Sequence, residues 1–145
     1  MLVEVNAGRF SGGDFKQLCD ICVGYNAYDA MLDAYDSDKE GGRCGAWAAV
    51  PSRPPGVLQA NGRMMTLISS VHGPLKALRH EAEIRALPSV VQFKPAYTEA
   101  GELVELTFDL ASVAGHVMLA HAEPAVLEQD YRRLRELQSE LFEIQ

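Results

Sequence analysis

The sequence predicts an α+β fold, and three of its stretches carry this prediction. Residues 1–5 are predicted to form a short apolar strand, which a glycine-rich loop would connect to a helix beginning near residue 14. Residues 103–110 alternate apolar and polar side chains, a pattern typical of a strand with one face in water. From Pro124 to about Ile144, leucines recur along one face of a long amphipathic helix.

Composition excludes several classes of protein. The 145 residues carry a formal net charge of −7, which argues against binding of nucleic-acid phosphates. Because the sequence has no run of about 18 apolar residues and no signal-peptide pattern at its start, we expect a cytoplasmic protein without a membrane partner.

The opening strand places two oxygen-bearing side chains two residues apart, Glu4 and Asn6. Residues at this spacing in a strand point to the same side, so their oxygens can converge on a hard cation such as Mg²⁺ or Mn²⁺. Arg9 follows, and its guanidinium can hold phosphate or carboxylate oxygens. The N–H groups of Gly12 and Gly13, just before a helix, offer a second anion site. The alternative is that these are ordinary polar groups at a strand end, with turn and capping residues after them.

The next segment predicts two short helices. Apolar side chains at helical spacing indicate a first helix over residues 14–23, which Gly24 ends. Asn26, with Asp29 three positions later, predicts the start of a second helix that runs to about Tyr35. The charged, glycine-bearing loop at 36–43 marks the predicted boundary between a domain at 1–40 and a second at 41–145.

The remaining residues predict the order β-β-α-β-β-β-α, an antiparallel sheet covered on one side by two helices. The predicted strands are 44–50, 64–69, 89–97, 103–110 and 115–122, with a hairpin turn at 99–102. One helix begins at the His72-Gly73-Pro74 sequence and is ended by Pro88, and the other begins at Pro124.

Other candidate sites have simpler interpretations. Three cysteines, an odd number, argue against a disulfide framework, and the Cys19–Cys22 pair lies in a helical pattern that indicates small buried thiols. No histidine pair suits a zinc site, since His72 and His80 are eight residues apart on one predicted helix, and His116 and His121 point to opposite sides of a predicted strand. The arginines at 132, 133 and 135 alternate with acidic residues, as on a solvated helix face with i, i+4 pairs.

The sequence EVNAGR at 4–9, followed by GGDF at 12–15 and VGYN at 23–26, resembles the last core strand of the ATP-grasp ligases. That superfamily typically has a Glu-x-Asn-x-Arg stretch, a glycine pair, and a helix that ends in a Thr-Gly-Val-Asp type of turn. Here Ala7 and Gly8 separate Asn6 from Arg9, where the family usually has one residue.

The resemblance implies roles for the residues that match. Glu4 and Asn6 would hold the Mg²⁺ (or Mn²⁺) that bridges the phosphates of ATP. Arg9 would be catalytic by steadying the acyl-phosphate and would contact the nucleotide, together with Gly12 and Gly13. The substrates would be ATP and an amino-acid-like carboxylate and amine.

The later residues are similar to the small carboxy-terminal subdomain of L-amino-acid ligases and carnosine synthases. The matching sequences are GPL at 73–75, ALPSVV at 86–91, the acidic turn at Gly101 and SVAGHV at 112–117. The resemblance implies the last strand-loop-helix piece of an ATP-grasp core followed by this subdomain. We therefore expect a carboxy-terminal fragment of a larger ligase, inactive alone and prone to pair with a second copy through its first strand. The alternative is a non-catalytic α+β module for oligomerisation or small-ligand binding.

Overall fold

The computed structural model describes residues 14–35, 52–53 and 56–145. The chain divides into two compact units, Met1–Gln59 and Ala60–Gln145, and each is described by itself. The predicted strands at 1–5 and 44–50 and the predicted loop at 36–43 lie outside the described residues. No helix in the described ranges is long and apolar enough to cross a membrane.

The first unit contains two helices, and both match the prediction from sequence. Helix α1 spans Asp14–Val23 and helix α2 spans Ala27–Tyr35. Between them Gly24 adopts φ 85°, a left-handed conformation that glycine takes without strain. Its N–H donates to the carbonyl oxygens of Cys19 and Asp20 at 3.2 and 3.1 Å, which terminates α1.

The second unit is a mixed α+β structure with two small antiparallel sheets. Its elements, in chain order, are β1 (Asn61–Thr66), β2 (Gly73–Leu78), α3 (Glu81–Ala86), β3 (Val90–Pro95), β4 (Leu103–Val104), β5 (Gly115–His121), α4 (Pro124–Gln138) and β6 (Phe142–Ile144). The first sheet has the order β1-β5-β3 and the second has the order β4-β2-β6. The predicted α+β class is therefore confirmed, whereas the prediction of a single sheet is wrong.

Strand β5 lies in the centre of the first sheet, which explains its nearly continuous apolar sequence. Val117 and Leu119 are completely buried, and Met118 is almost so. The register pairs Met65 of β1 and Phe93 of β3 with Val117. A strand that pairs with a neighbour on each side and is buried on both faces contacts little water, so its sequence is mostly apolar.

Helix α4 contributes the apolar face that the sequence predicts. Leu127, Leu134 and Leu137 enter the core, and Tyr131 is partly buried against it. The helix nevertheless ends at Gln138 rather than near Ile144, and the last residues form β6. Phe142 and Ile144 pair with β2, so the apolar end of the chain is used by a sheet instead of a helix.

The predicted helix from His72 to Pro88 is wrong in its first half. Residues 73–78 form β2, in which buried Gly73 and Leu75 alternate with exposed Pro74 and Lys76. Alternation with a period of two favours a strand, and a proline is accepted near a strand's first residue. The helix is limited to α3, where Ile84 is the buried residue.

The predicted strand at 103–110 and its hairpin with 89–97 are also wrong. Only Leu103–Val104 is a strand, and it pairs with β2, while β3 pairs with β5. Residues 105–112 form a loop instead, because the side chains of Thr107, Asp109 and Ser112 make hydrogen bonds to backbone groups there. The strand predicted at 64–69 begins and ends three residues earlier.

Candidate functional site

The residues predicted to bind metal, nucleotide and acyl-phosphate all precede the described part of the chain. Glu4, Asn6, Arg9, Gly12 and Gly13 lie outside the described residues, so their predicted roles stay predictions. The described part of this motif begins at α1.

A compact polar cluster holds the α1–α2 turn together. The buried Asn26 accepts a hydrogen bond at Oδ1 from the N–H of Asp29 at 2.8 Å, which caps α2 as predicted. Its amide nitrogen donates to Asp29 Oδ2 at 2.9 Å and to Asp20 Oδ1. Lys16 Nζ lies 3.0 Å from Asp20 Oδ2 and 3.0 Å from Asp29 Oδ2.

The protonation states in this cluster reinforce one another. Hydrogen bonds from Asn26 and Lys16 lower the pKa of Asp29 below its ordinary value, because they stabilise the carboxylate. Bonds to Asp29 and Asp20 raise the pKa of Lys16. Since the lysine is engaged by two carboxylates, the cluster has the character of a structural brace for the turn rather than of a reactive centre.

The thiol prediction is confirmed for Cys22, which is buried in α1. Burial raises the pKa of this thiol, with a smaller contribution from Cys19. A thiol with a raised pKa is a poor nucleophile at neutral pH. Cys19 is half-buried, and both are free thiols.

A shallow groove of about 530 Å³ runs beside α4 in the second unit. Its lining is largely charged and comprises Leu87, Ala125, Glu128, Gln129, Asp130, Arg132, Arg133 and Glu136. Arg132 pairs with Glu128 at 3.0 Å, in the i, i+4 pattern that the sequence predicts, and Arg133 pairs with Glu136 at 3.0 Å and with Glu83. These arginines already have carboxylate partners, so the groove does not provide a free anion site.

Asp130 is the buried member of this lining. It is 5% exposed, and its Oδ2 accepts a hydrogen bond from the N–H of Ser89 at 2.8 Å. Ser89 is fully buried at the start of β3, and its hydroxyl has no hydrogen-bond partner among the described residues. The contact joins α4 to the first sheet.

The histidines do not combine into a site. His72 and His80 do not share a helix, as the sequence had predicted, because β2 separates them. His80 precedes α3 with φ 60° and has Glu83 Oε2 at 3.6 Å and Glu140 Oε2 at 3.8 Å. Within the described residues, no three His, Cys, Asp or Glu side chains are arranged to hold a metal ion.

A loop at residues 105–112, which we name the 105–112 loop, is the feature that the sequence interpretation missed. Thr107 ties it to the 67–72 segment: its N–H donates to the carbonyl oxygen of Ser69 at 3.0 Å, and its Oγ1 accepts from the N–H of Ser69 at 2.9 Å. The Thr107 hydroxyl donates to the carbonyl oxygen of Ser112 at 3.0 Å, which closes the loop.

Asp109 and Ser112 shape the tip of the 105–112 loop. Asp109 Oδ1 accepts from the N–H groups of Ala111 and Ser112 at 2.9 and 2.8 Å and from the Ser112 hydroxyl at 2.8 Å. Ser112 Oγ in turn accepts from the N–H groups of Phe108 and Asp109, both at 3.0 Å. These bonds lower the pKa of Asp109. The Asp-x-x-Ser spacing is the signal from which this turn could have been predicted.

The comparisons with known proteins return no relatives: no protein-family model, no curated protein and no solved structure matches this chain.

Proposed function

We propose that this chain forms the carboxy-terminal part of an ATP-dependent carboxylate–amine ligase of the ATP-grasp type, which joins amino-acid-like substrates through an acyl-phosphate. The observation that supports the proposal best is the α1 segment. It begins directly after the Gly12–Gly13 pair, ends at the left-handed Gly24, and is followed by the capping residue Asn26. This is the helix and turn that the family resemblance requires after a Glu-x-Asn strand.

The proposed chemistry assigns one task to each polar residue of the opening motif. Glu4 and Asn6 supply carboxylate and amide oxygens, the ligands that Mg²⁺ prefers. A metal held by these two residues would neutralise charge on the transferring phosphoryl group, the main catalytic demand of such a reaction. Arg9 would steady the acyl-phosphate oxygens, and the N–H groups of Gly12 and Gly13 would bind the nucleotide phosphates.

In this proposal the α1–α2 turn supports the site structurally. A catalytic constellation acts only if its supporting elements hold it in place to within a fraction of an ångström. The Lys16–Asp20–Asn26–Asp29 cluster fixes the end of α1, the helix that leads away from the glycine pair. The α1–α2 turn would thus stabilise the loop on which the phosphates rest.

The test is carried out on the protein as the cell produces it. We would place an affinity tag after Gln145 at the native locus, purify the tagged protein, and measure its mass and its ADP release with amino acids and Mg²⁺. The expected result is a polypeptide whose mass, after subtraction of the tag, exceeds 15.9 kDa, which contains a nucleotide-binding lobe before Glu4 and forms ADP only when an amino acid is added.

A substitution then separates the metal role from general damage. Glu4→Ala is expected to abolish metal-dependent turnover, whereas the control Cys19→Ala retains it, because Cys19 is a half-buried thiol of α1 and is not one of the proposed ligands. Unchanged turnover in Glu4→Ala would remove the metal assignment. The isolated chain is expected to be inactive, and ATP turnover by the isolated chain would contradict the fragment proposal.

The second candidate is a non-catalytic module for oligomerisation or small-ligand binding. It is favoured by one observation: the Ala60–Gln145 unit has a core of its own, built from all its strands and helices. A native protein whose mass is 15.9 kDa after subtraction of the tag, and which shows no amino-acid-dependent ADP release, would support this candidate. Light scattering then tests its expected self-association.

A further inference from the structure

The 105–112 loop exposes large apolar side chains that the second unit does not use. Phe108 is 83% exposed and Leu110 is 89% exposed, and Leu106 and the adjacent Ile68 are also exposed. None of the four belongs to the apolar core or to the partly buried residues packed on it. Single exposed apolar residues need no explanation, but several gathered on one segment are typical of an interaction site.

The conformation of the loop is set by hydrogen bonds rather than by apolar burial. Side-chain oxygens of Asp109 and Ser112 accept from the N–H groups of residues 108, 109, 111 and 112, and the N–H of Thr107 donates to the carbonyl oxygen of Ser69. These bonds therefore fix the backbone of the loop with Phe108 and Leu110 in solvent. A preformed surface loses little conformational entropy on binding, which favours affinity.

Charge determines which partner fits this surface. Between Lys94 and Arg132 the sequence contains no Lys or Arg, whereas Glu99, Glu102 and Glu105 precede the apolar side chains of the loop and Asp109 lies between Phe108 and Leu110. The pKa values of Glu102 and Asp109 are lowered by hydrogen bonds to their carboxylates, so both are ionised at neutral pH. An anionic lipid surface or the same loop of a second copy would meet like charge, which disfavours both.

We propose that the 105–112 loop, together with Ile68, is a docking surface for another protein that presents an apolar pocket bordered by Lys or Arg side chains. Phe108 and Leu110 enter the pocket, and the carboxylates pair with its basic rim. Anchors of this kind carry most of the affinity at protein interfaces, whereas rim charges set the rate of association and its salt dependence. The inference concerns the Ala60–Gln145 unit and does not depend on the ligase proposal.

The test uses the full chain and a labelled amphipathic peptide of leucine and lysine as the probe. Titration is followed by fluorescence anisotropy and by the backbone amide signals in NMR spectra. We expect saturable binding that weakens with added salt, with shift changes confined to residues 105–112 and 68–70. Phe108→Ser/Leu110→Ser is expected to weaken binding at least roughly tenfold, because it removes two apolar anchors.

Matched controls make the result specific. Val57→Ser removes a side chain that is 85% exposed in the other unit, and it is expected to leave peptide affinity unchanged. A leucine–glutamate peptide is expected not to bind. If the double variant does not fold, as judged by its circular dichroism spectrum, the single variants Phe108→Ser and Leu110→Ser replace it, and each must weaken binding.

Three results would overturn the proposal. The first is equal peptide affinity in the wild type and in the serine variants. The second is a dimer in sedimentation velocity that the serine variants abolish, which would assign the surface to a second copy. The third is co-sedimentation with phosphatidylserine vesicles that depends on Phe108 and Leu110, which would assign the surface to a membrane.

Discussion

The buried contact between Asp130 and Ser89 allows a stability effect to be worked out from the structure. Asp130→Ala removes the acceptor of the Ser89 N–H and leaves that donor unpaired in a fully buried position. A buried donor left without a partner costs roughly 1–3 kcal/mol. Alanine is the better helix former, which offsets this cost by up to about 0.7 kcal/mol in α4. The net expectation is a loss of about 1.5 kcal/mol in the free energy of unfolding, or ~8 °C in Tm for a unit of this size.

Thermal and urea unfolding of the purified chain, followed by circular dichroism, measure this loss. Asp130→Asn keeps an acceptor oxygen at the same place, so it is expected to lose less than Asp130→Ala. Glu136→Ala is the matched control on the same helix, because its carboxylate is 66% exposed and its pairing with Arg133 is worth at most about 1 kcal/mol. If Asp130→Ala and Glu136→Ala unfold at the same urea concentration, the hydrogen bond to Ser89 does not contribute to stability and the reasoning fails.

Two further predictions follow from the backbone and from the loop. Gly115 has φ 122°, and a Cβ there would approach the Cα of Pro95 to 2.7 Å, so Gly115→Ala is expected to cost at least about 3 kcal/mol in urea unfolding. Gly101 has φ 92° with open space around it, so Gly101→Ala isolates the backbone strain, and an equal loss in both variants would contradict the steric explanation. Ser112→Ala is expected to raise the pKa of Asp109, measured by NMR titration, because the hydroxyl and N–H of Ser112 are its largest stabilising contacts. Because folding lowers the pKa of Asp109, its carboxylate contributes stability at neutral pH that is lost as the pH falls below 3.8. Ser112→Ala is therefore expected to lose less stability than the wild type when the pH is lowered through this range.

The elements that the sequence predicted correctly are those whose signals are local. Helix α1 has apolar residues at helical spacing and a glycine stop, and α2 has the Asn26 cap with Asp29 at the third position. The central strand β5 and the start of α4 at Pro124 were also predicted correctly. A buried apolar run and a proline at a helix start have few other interpretations. The candidate ligands from Glu4 to Gly13 lie outside the described residues, so this part of the prediction is neither confirmed nor wrong.

The elements that the sequence predicted wrongly depend on partners far along the chain. Residues 73–78 fit a proline-initiated helix as well as a strand, and they become β2 because β6, more than sixty residues later, pairs with them. In the same way, Phe142 and Ile144 continue the apolar pattern of α4, yet they extend the second sheet. Tertiary pairing overrides local propensity in such segments, and periodicity alone cannot reveal it.

The failed strand at 103–110 has a different cause, and it bears on function. Alternation of Leu106, Phe108 and Leu110 with polar residues predicts a buried apolar face, but β4 ends at Val104 and a side-chain network fixes the rest as a loop. If the apolar side chains served the unit's own core, the loop would turn them inward, and it holds them in solvent instead. Departures from local sequence rules are expected where a residue is retained for function rather than for folding. We therefore expect the apolar side chains of this alternating sequence to be buried by a partner protein, with Phe108 and Leu110 entering its pocket.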